Sequence, residues 1–384
     1  MDTTLFQSSA PGELVRIANG EFAFVPAPLP TTMALGPEQY TLMARAAGAI
    51  GEIRGLTAPE LVSTPSVLLR PLQREESLRS SSLEGTHATP EELLLFELGP
   101  TDAASERDPV NRWREVHNHD LALQQGENLL ESAGLTLWTI RALHQTLLSG
   151  VRGQDKSPGK LRPRQVFIGS DHRFIPPPPE LVPELMESLI EWWSDSDDEA
   201  PPLVRVFLFH YQFEAIHPFL DGNGRVGRLL FSLMLAKWCG LDRPWLYLSA
   251  YFEAHRDEYF TGLHTVSVRG DWIRWINLCL RAVVAQGADT ARRIRRLIEL
   301  RKNWLQAVQA GKLHARTLKL VDPLFERPIV NVPLAQEILG VAYNTARKDL
   351  DNLVTIGVLS LMLHADQRTY IAHEVMRIVH GSDR

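Results

Sequence analysis

Apolar residues recur at three- and four-residue spacing through most of the chain, the period of a helix with one buried face. That spacing predicts helices over 38–53, 71–83, 92–98, 111–130, 137–148, 180–194, 204–216, 228–238, 272–286 and 291–309. In 180–194 the stripe is Leu181, Leu185, Leu189 and Trp193. Some ends are marked locally. Gly85 is placed to stop the second helix. Thr89, Pro90 and Glu92 form the start of the third: a capping hydroxyl, a proline at the first turn and a reciprocal carboxylate. Residues 165–169 read instead as a short β run, 170–173 as a turn, and Phe174 and Ile175 as a second strand, together a β-hairpin. Residues 1–20 carry no strong pattern and read as a loose tail. Pro26, Pro28, Pro30 and Pro37 make 22–37 an extended arm.

Past 331 the pattern changes. Helices over 333–339 and 342–353 flank Gly340, and two short strands follow near 358–361 and 368–371. That is the order of a winged helix-turn-helix, with 311–331 as the transition into it. The fold class expected is therefore mainly α, with a short β-hairpin and a C-terminal winged helix-turn-helix domain. The expected partition is 1–100, 101–290, 291–330 and 331–384.

Composition narrows the class. With 384 residues, 44% hydrophobic and 22% charged, the chain has the profile of a folded protein of more than one domain. A net charge of −6 gives no general basic field for nucleic acid or anionic lipid. Cys239 and Cys279 make no disulfide framework and read as buried thiols. No signal-peptide pattern and no apolar run long enough to span a bilayer is present, so a cytoplasmic protein without membrane attachment is expected.

The chemistry concentrates in twelve residues, 217–228, between two apolar helices. Pro218, Gly222, Gly224 and Gly227 interrupt the helical pattern, so a loop leads into a helix N-terminus, whose free N–H groups and partial positive charge suit phosphate. Gly222 and Gly224 permit close backbone approach. Arg225 and Arg228 can act on neighbouring phosphates. Asp221 is a hard carboxylate suited to Mg²⁺ on phosphate oxygens, and His217 can take a proton from a hydroxyl. The set describes phosphoryl or nucleotidyl transfer.

These residues resemble the signature of the Fic family, His-x-Phe-x-Asp/Glu-Gly-Asn-Gly-Arg-x-x-Arg, matched at His217, Phe219, Asp221, Gly222, Asn223, Gly224, Arg225 and Arg228. Residues 20–300 look like the bacterial Fic proteins with an N-terminal helical extension, which implies a Fic helical bundle for the catalytic part. The resemblance implies transfer of AMP from ATP to a Ser, Thr or Tyr hydroxyl of a protein. It implies His217 as general base, and Asp221 holding Mg²⁺ (or Mn²⁺). It implies Gly222, Asn223 and Gly224 as the anion hole, Asn223 near the α-phosphate, and Arg225 and Arg228 on the β- and γ-phosphates. The hairpin becomes a flap that docks the target segment as an added strand, with Val166, Phe167, Ile168, Phe174 and Ile175 as rails.

Ser80 and Glu84, ahead of Gly85, resemble the family's inhibitory motif, Ser/Thr-x-x-x-Glu-Gly/Asn. A carboxylate at a helix end can pair with an arginine that would otherwise grip a phosphate. The resemblance names that arginine as Arg228 and places the brake in the intramolecular, N-terminal-helix class. Tyr251, Tyr259 and Trp272 are candidates for stacking on the adenine. In the C-terminal segment Asn344, Thr345, Arg347 and Lys348 are candidate DNA contacts, but 331–384 holds five basic against six acidic residues. A protein-interaction or homodimer surface stands beside DNA as its use. Three readings follow: an autoinhibited protein adenylyltransferase, the same site removing AMP by metal-assisted hydrolysis, and a winged-helix DNA-binding regulator.

Overall fold

A computed structural model describes residues 1–58, 65–105, 107–151, 156–169, 172–194, 200–362 and 368–381. They form two compact units, one of Met1–Gly51, Arg79–Thr86 and Asn118–Gly287, the other of Glu52–Leu78, His87–His117 and Ala288–Arg384. In chain order the elements are β1 (Gly12–Arg16), β2 (Phe22–Pro26), α1 (Pro37–Leu56), α2 (Pro65–Leu83), α3 (Pro90–Leu98), α4 (Val110–Ser132), α5 (Leu137–Leu147), α6 (Val182–Ser194), α7 (Pro202–Ile216), α8 (Asn223–Trp238), α9 (Ser249–Ala254), α10 (Arg256–Arg269), α11 (Trp272–Ala310), α12 (Leu318–Glu326), β3 (Ile329–Asn331), α13 (Val332–Leu339), α14 (Tyr343–Thr355), β4 (Ser360–Met362), β5 (Thr369–Ile371) and α15 (His373–His380).

The first unit is built on α7 and α8, which pack against each other on either side of the 217–222 loop. Helix α7 is apolar almost all round, and it is buried almost all round, as such a helix must be. Two of its polar side chains find partners inside. His210 Nδ1 meets Gly227 O at 3.1 Å and Nε2 meets the Tyr259 hydroxyl at 2.9 Å. The Arg205 guanidinium donates to Trp192 O at 2.9 Å and lies 4.2 Å over the Trp238 ring, itself stacked on Trp193.

Residues 1–20 are not a loose tail. Gly12–Arg16 pairs antiparallel with Phe22–Pro26, with Leu14 opposite Phe24. Phe24 is wholly buried between Phe6 and Phe174, and that long-range burial orders a stretch with no period of its own.

The expected break between 286 and 291 is also absent, and α11 runs unbroken through it. Gly287 costs helix propensity, about 1 kcal/mol. A Cβ there would sit 2.7 Å from Ala49 Cβ, so the glycine lets α1 approach closely. Asp289 then pairs with Arg292 and Arg293 one turn on.

In the second unit α2 begins at Pro65 rather than Pro71, which lies inside it. The lost hydrogen bond is offset by burial of Val67, Leu68, Leu69 and Leu72. Thr89 and Glu92 cap α3 reciprocally, Thr89 N–H donating to Glu92 at 2.7 Å and Glu92 N–H to Thr89 at 3.2 Å. Asn331 caps α13, and Gly340 (φ 65°) ends it before α14. Strands β3, β5 and β4 form an antiparallel sheet in that order, Ile371 lying between Ile329 and Ser360. Leu94 of α3 packs on Ile329, Ile371 and Met376. Asp349, fully buried in α14, is bound by Arg316 at 2.6 Å.

Candidate active site

The site gathers at the junction of α7 and α8. His217 ends α7 in the left-handed region (φ 52°, ψ 63°), a conformation that costs a non-glycine residue about 1 kcal/mol or more and turns the chain sharply into the loop. Gly222 (φ 76°) makes the second turn, directly before α8. Between them the Asn223 side chain locks the loop, accepting from Phe219 N–H at 2.8 Å and donating to Phe219 O at 2.9 Å. Its amide is therefore spent on the loop, and what it offers an anion is its backbone N–H in the first turn of α8. Phe219 is fully buried under the ring of His144, 3.8 Å away and nearly parallel.

A cavity of about 530 Å³ opens over this turn, lined in part by Glu84, Glu214, His217, Gly224 and Arg228. Arg228 is almost entirely buried. Its Nε donates to the Ser80 hydroxyl at 3.0 Å, and its Nη2 donates to Ser80 O and to Glu84 Oε1, both at 2.8 Å. Glu84 keeps about a third of its side chain exposed (36%) and lies against Gly224, where any Cβ would overlap its carboxylate. Gly85 (φ 84°) follows α2, so the turn carrying Glu84 projects from a helix end. Glu253 of α9 holds that end from outside, through Ser82 and through Arg79 at 3.0 Å.

The electrostatics follow from burial among these charges. Burial alone would push the Glu84 carboxyl up; Arg228, with Arg225 and His217, outweighs it and holds the group below the ordinary carboxylate value. Burial opposes the Arg228 charge, and Glu84 more than restores it. His217 is pushed down to about 4 by burial and by the Arg162 guanidinium, against Glu84, the Glu214 backbone and Asp221. It is therefore a neutral imidazole at pH 7. Its Nδ1 is buried, so Nε2 is the nitrogen presented to the cavity. Burial drives the Glu214 carboxyl up to about 8, with Arg228 opposing and Glu84 adding.

Asp221 precedes Gly222 in the loop, its side chain half exposed. Its Oδ1 accepts from Gly222 N–H at 2.6 Å and stands 3.6 Å from Arg225. Among the described residues no group of three or more His, Cys, Asp and Glu side chains could hold a metal. One hard carboxylate at the mouth of a helix N-terminus still fits a cation that arrives on phosphates, which needs only one or two protein oxygens.

Some expectations are corrected. The two-stranded flap reduces to one antiparallel bridge, Ile168 with Phe174. Ile175 is fully buried, its carbonyl taken by Phe24 N–H at 2.9 Å, and residues 176–179 are prolines with no N–H to extend a ladder. Val166 and Phe167 carry no strand pairing; Phe167 stacks on His172 at 4.2 Å. The turn residues 170 and 171 lie outside the described residues. Tyr259 reaches the cavity wall, but its ring is buried and its hydroxyl bound to His210. Tyr251 stacks on His255, and Trp272 stands edge-on to Tyr211; neither lines the cavity. Phe260 does, with Arg256 4.8 Å over its ring.

Two residues carried no sequence signal. His144 accepts from Gly159 N–H on Nδ1 at 2.8 Å, so Nε2 bears the proton and donates to Asp221 O at 3.0 Å. Arg162 lies between the helix expected to end at 148 and the β run from 165, and it binds the carbonyls of His217 and Ile216.

The mainly helical architecture with its small antiparallel sheets is the Fic fold. It is similar to a Fic family protein from Desulfovibrio desulfuricans G20, with a TM-score of 0.54 and 21% identity over 88% of this chain and 97% of that one. It is also similar to Fic-1 (residues 134–508) from C. elegans, with a TM-score of 0.53 and 21% identity over 70% and 75%. In sequence, residues 134–235 match the Fic/DOC family and residues 40–128 the Fic/DOC family N-terminal region. The chain belongs to the Fic/DOC family. Curated relatives include a probable protein adenylyltransferase from Aquifex aeolicus, 29% identical over 169 residues, 43% of this chain and 48% of that one. Protein adenylyltransferase fic-1 from Caenorhabditis briggsae is 34% identical over 111 residues, 29% and 20% of the two chains. The chain thus spans from a fifth to about half of the length of these relatives.

Proposed function

We propose that this chain is an autoinhibited protein adenylyltransferase that moves AMP from ATP onto a Ser, Thr or Tyr hydroxyl of a protein, itself included. The names of its curated relatives support the reaction. One observation carries the reading of the brake: Glu84 occupies the face of Gly224 and holds Arg228, beside a neutral His217. An anion at a helix N-terminus is what a phosphate would be, and Glu84 sits as its substitute.

In the transfer, His217 Nε2 takes the hydroxyl proton as the hydroxyl oxygen bonds to the α-phosphorus. The bond to the β-phosphate oxygen breaks, and pyrophosphate leaves. The backbone N–H groups of Asn223 and Gly224 bind the phosphate oxygens, that of Gly222 joins them once Asp221 releases it, and Arg225 and Arg228 take the charge of the leaving part. Asp221 would hold Mg²⁺ (or Mn²⁺), which supplies charge neutralisation on the phosphates. Seating of ATP requires Arg228 to exchange Glu84 for a phosphate.

For 331–384 we propose a winged helix-turn-helix that contacts protein, a second copy of the chain included, rather than DNA. Asn344, Arg347 and Lys348 are exposed and Thr345 half-buried, but Asp351 stands 3.8 Å from Arg347 and 2.9 Å from Arg368. These acids subtract from any phosphate affinity.

Mass spectrometry after incubation with ATP and Mg²⁺ tests the main reading. Glu84→Gly should gain AMP, the native chain far less, and Glu84→Gly/His217→Ala none. Equal labelling of native and Glu84→Gly protein would remove the brake. Loss of AMP from a pre-modified protein, with no gain from ATP, would point to the reverse reaction.

A further inference from the structure

The left-handed turn at His217 is strained, and what holds it is Arg162. Its side chain is among the most buried in the protein (2% exposed). The guanidinium is caged by main-chain carbonyls. Nε donates to His217 O at 2.8 Å, Nη2 to Pro177 O at 2.5 Å and more weakly to Ile216 O at 3.4 Å, and Nη1 to Arg164 O at 3.3 Å. The Arg162 backbone N–H also donates to Pro218 O at 2.9 Å. The carbonyls of three consecutive residues, 216, 217 and 218, are thus all taken by one residue. The side chain alone meets four carbonyls, which a planar five-donor fork can do and the three donors of a lysine ammonium cannot. Carbonyl dipoles satisfy the donors but leave the positive charge in place. Burial draws its pKa down to about 10, against a smaller opposing pull from Glu180.

We propose that Arg162 is a positioning residue for the general base: it fixes the His217 turn through the carbonyl cage and sets a positive charge against the imidazole. The proposal rests on the transferase reading of the site. The groups that act on His217 are Glu84 from the end of α2, the Glu214 backbone of α7, Asp221 from the loop and Arg162 itself, and Arg228 of α8 and Arg256, Asp257 and His264 of α10 line the same cavity. Glu84 and Asp221 favour a charged imidazole and Arg162 opposes it. The arginine therefore keeps the base free of a proton before the target arrives. After transfer it speeds the proton's departure, because it destabilises the imidazolium.

The test uses the full chain carrying Glu84→Gly, with Arg162→Met, Arg162→Gln and Arg162→Lys added singly. Two quantities are read: ATP-dependent self-labelling as kcat and KM, and the titration midpoint of the His217 ring by NMR on ¹³C-histidine-labelled protein. His217→Ala assigns the resonance. Arg162→Met and Arg162→Gln should lose about 100-fold in kcat with the KM for ATP changed less than about threefold. In both, the His217 midpoint should rise by about one pH unit or more. Arg162→Lys keeps the charge without the fork, so the midpoint stays near the parent's while about a tenfold part of the lost kcat returns. An unmoved midpoint in the neutral variants, or a kcat within about twofold of the parent, overturns the proposal. Should Arg162→Met not fold, Arg162→Gln retains donors for the cage, and a midpoint that rises in Arg162→Lys would equally overturn it. The NMR arm needs no catalysis. A parent that never labels therefore refutes the transferase reading, while the titration still decides what Arg162 does.

Discussion

Two arginine–carboxylate pairs, one in each unit, are arranged in opposite senses. In the first, Arg228 is buried (2% exposed) and its partner Glu84 is reachable (36%). In the second, Asp349 is buried (2%) and its partner Arg316 is reachable (27%). Which member is buried decides what the pair can do. Take Glu84 away and a fixed cation faces a cavity, still braced by Ser80 and ready for another anion. Take Arg316 away and a carboxylate is stranded in a small core of α14 with nothing to replace its partner. The first pair can exchange partners and the second can only hold a fold together.

The contrast can be broken at several points. The largest effect belongs to the chemistry beside the first pair: adding His217→Ala to Glu84→Gly should cut AMP transfer by about a thousandfold, read by labelled-ATP incorporation. A loss under tenfold would mean that the base lies elsewhere. Glu84→Gly should raise self-labelling at least about tenfold. Because the pair is partly solvated and Ser80 still binds Arg228, it should cost only about 1 kcal/mol in denaturant unfolding. A much larger cost would make the first pair structural like the second. Arg316→Ala should lower the thermal midpoint while leaving the labelling of Glu84→Gly unchanged; the reverse pattern would erase the distinction.

The smallest expected effect is with pH. The Glu84 carboxyl is held below its ordinary 4.5, so the pair is at full strength above that value and is lost only as pH falls through the lower folded value. Native self-labelling should thus be equally low at pH 8 and pH 6. A clear rise between them would show that another group sets the brake.

What the sequence discloses depends on how local the cause is. The capping of α3 by Thr89 and Glu92, the glycine stop after α2 and the 217–228 loop are all determined within a dozen residues, and each is readable there. The β1–β2 hairpin is ordered by Phe24 packing on Phe174, 150 positions away, and leaves no trace in its own pattern. Gly287 reads as a helix end because its reason, the approach of Ala49, comes from another helix. Arg162 and His144 matter through backbone atoms, which have no letter in a sequence. The hairpin expected over 165–175 narrows to the Ile168–Phe174 bridge, and the four prolines that follow Ile175 bar its extension.

Gly224 closes the account of how such an enzyme could be switched on by mutation. On the proposed reading, the missing side chain there would serve both a resting state, by admitting Glu84, and the cradle through which a nucleotide would be held. Any replacement that evicts the carboxylate also fills the space needed by its successor. Off and on would then share this position, so no single change at 224 should yield an unrestrained enzyme. Gain of activity has to enter from the helix that carries Glu84, which leaves the catalytic loop free to stay the same whether the protein is silent or active.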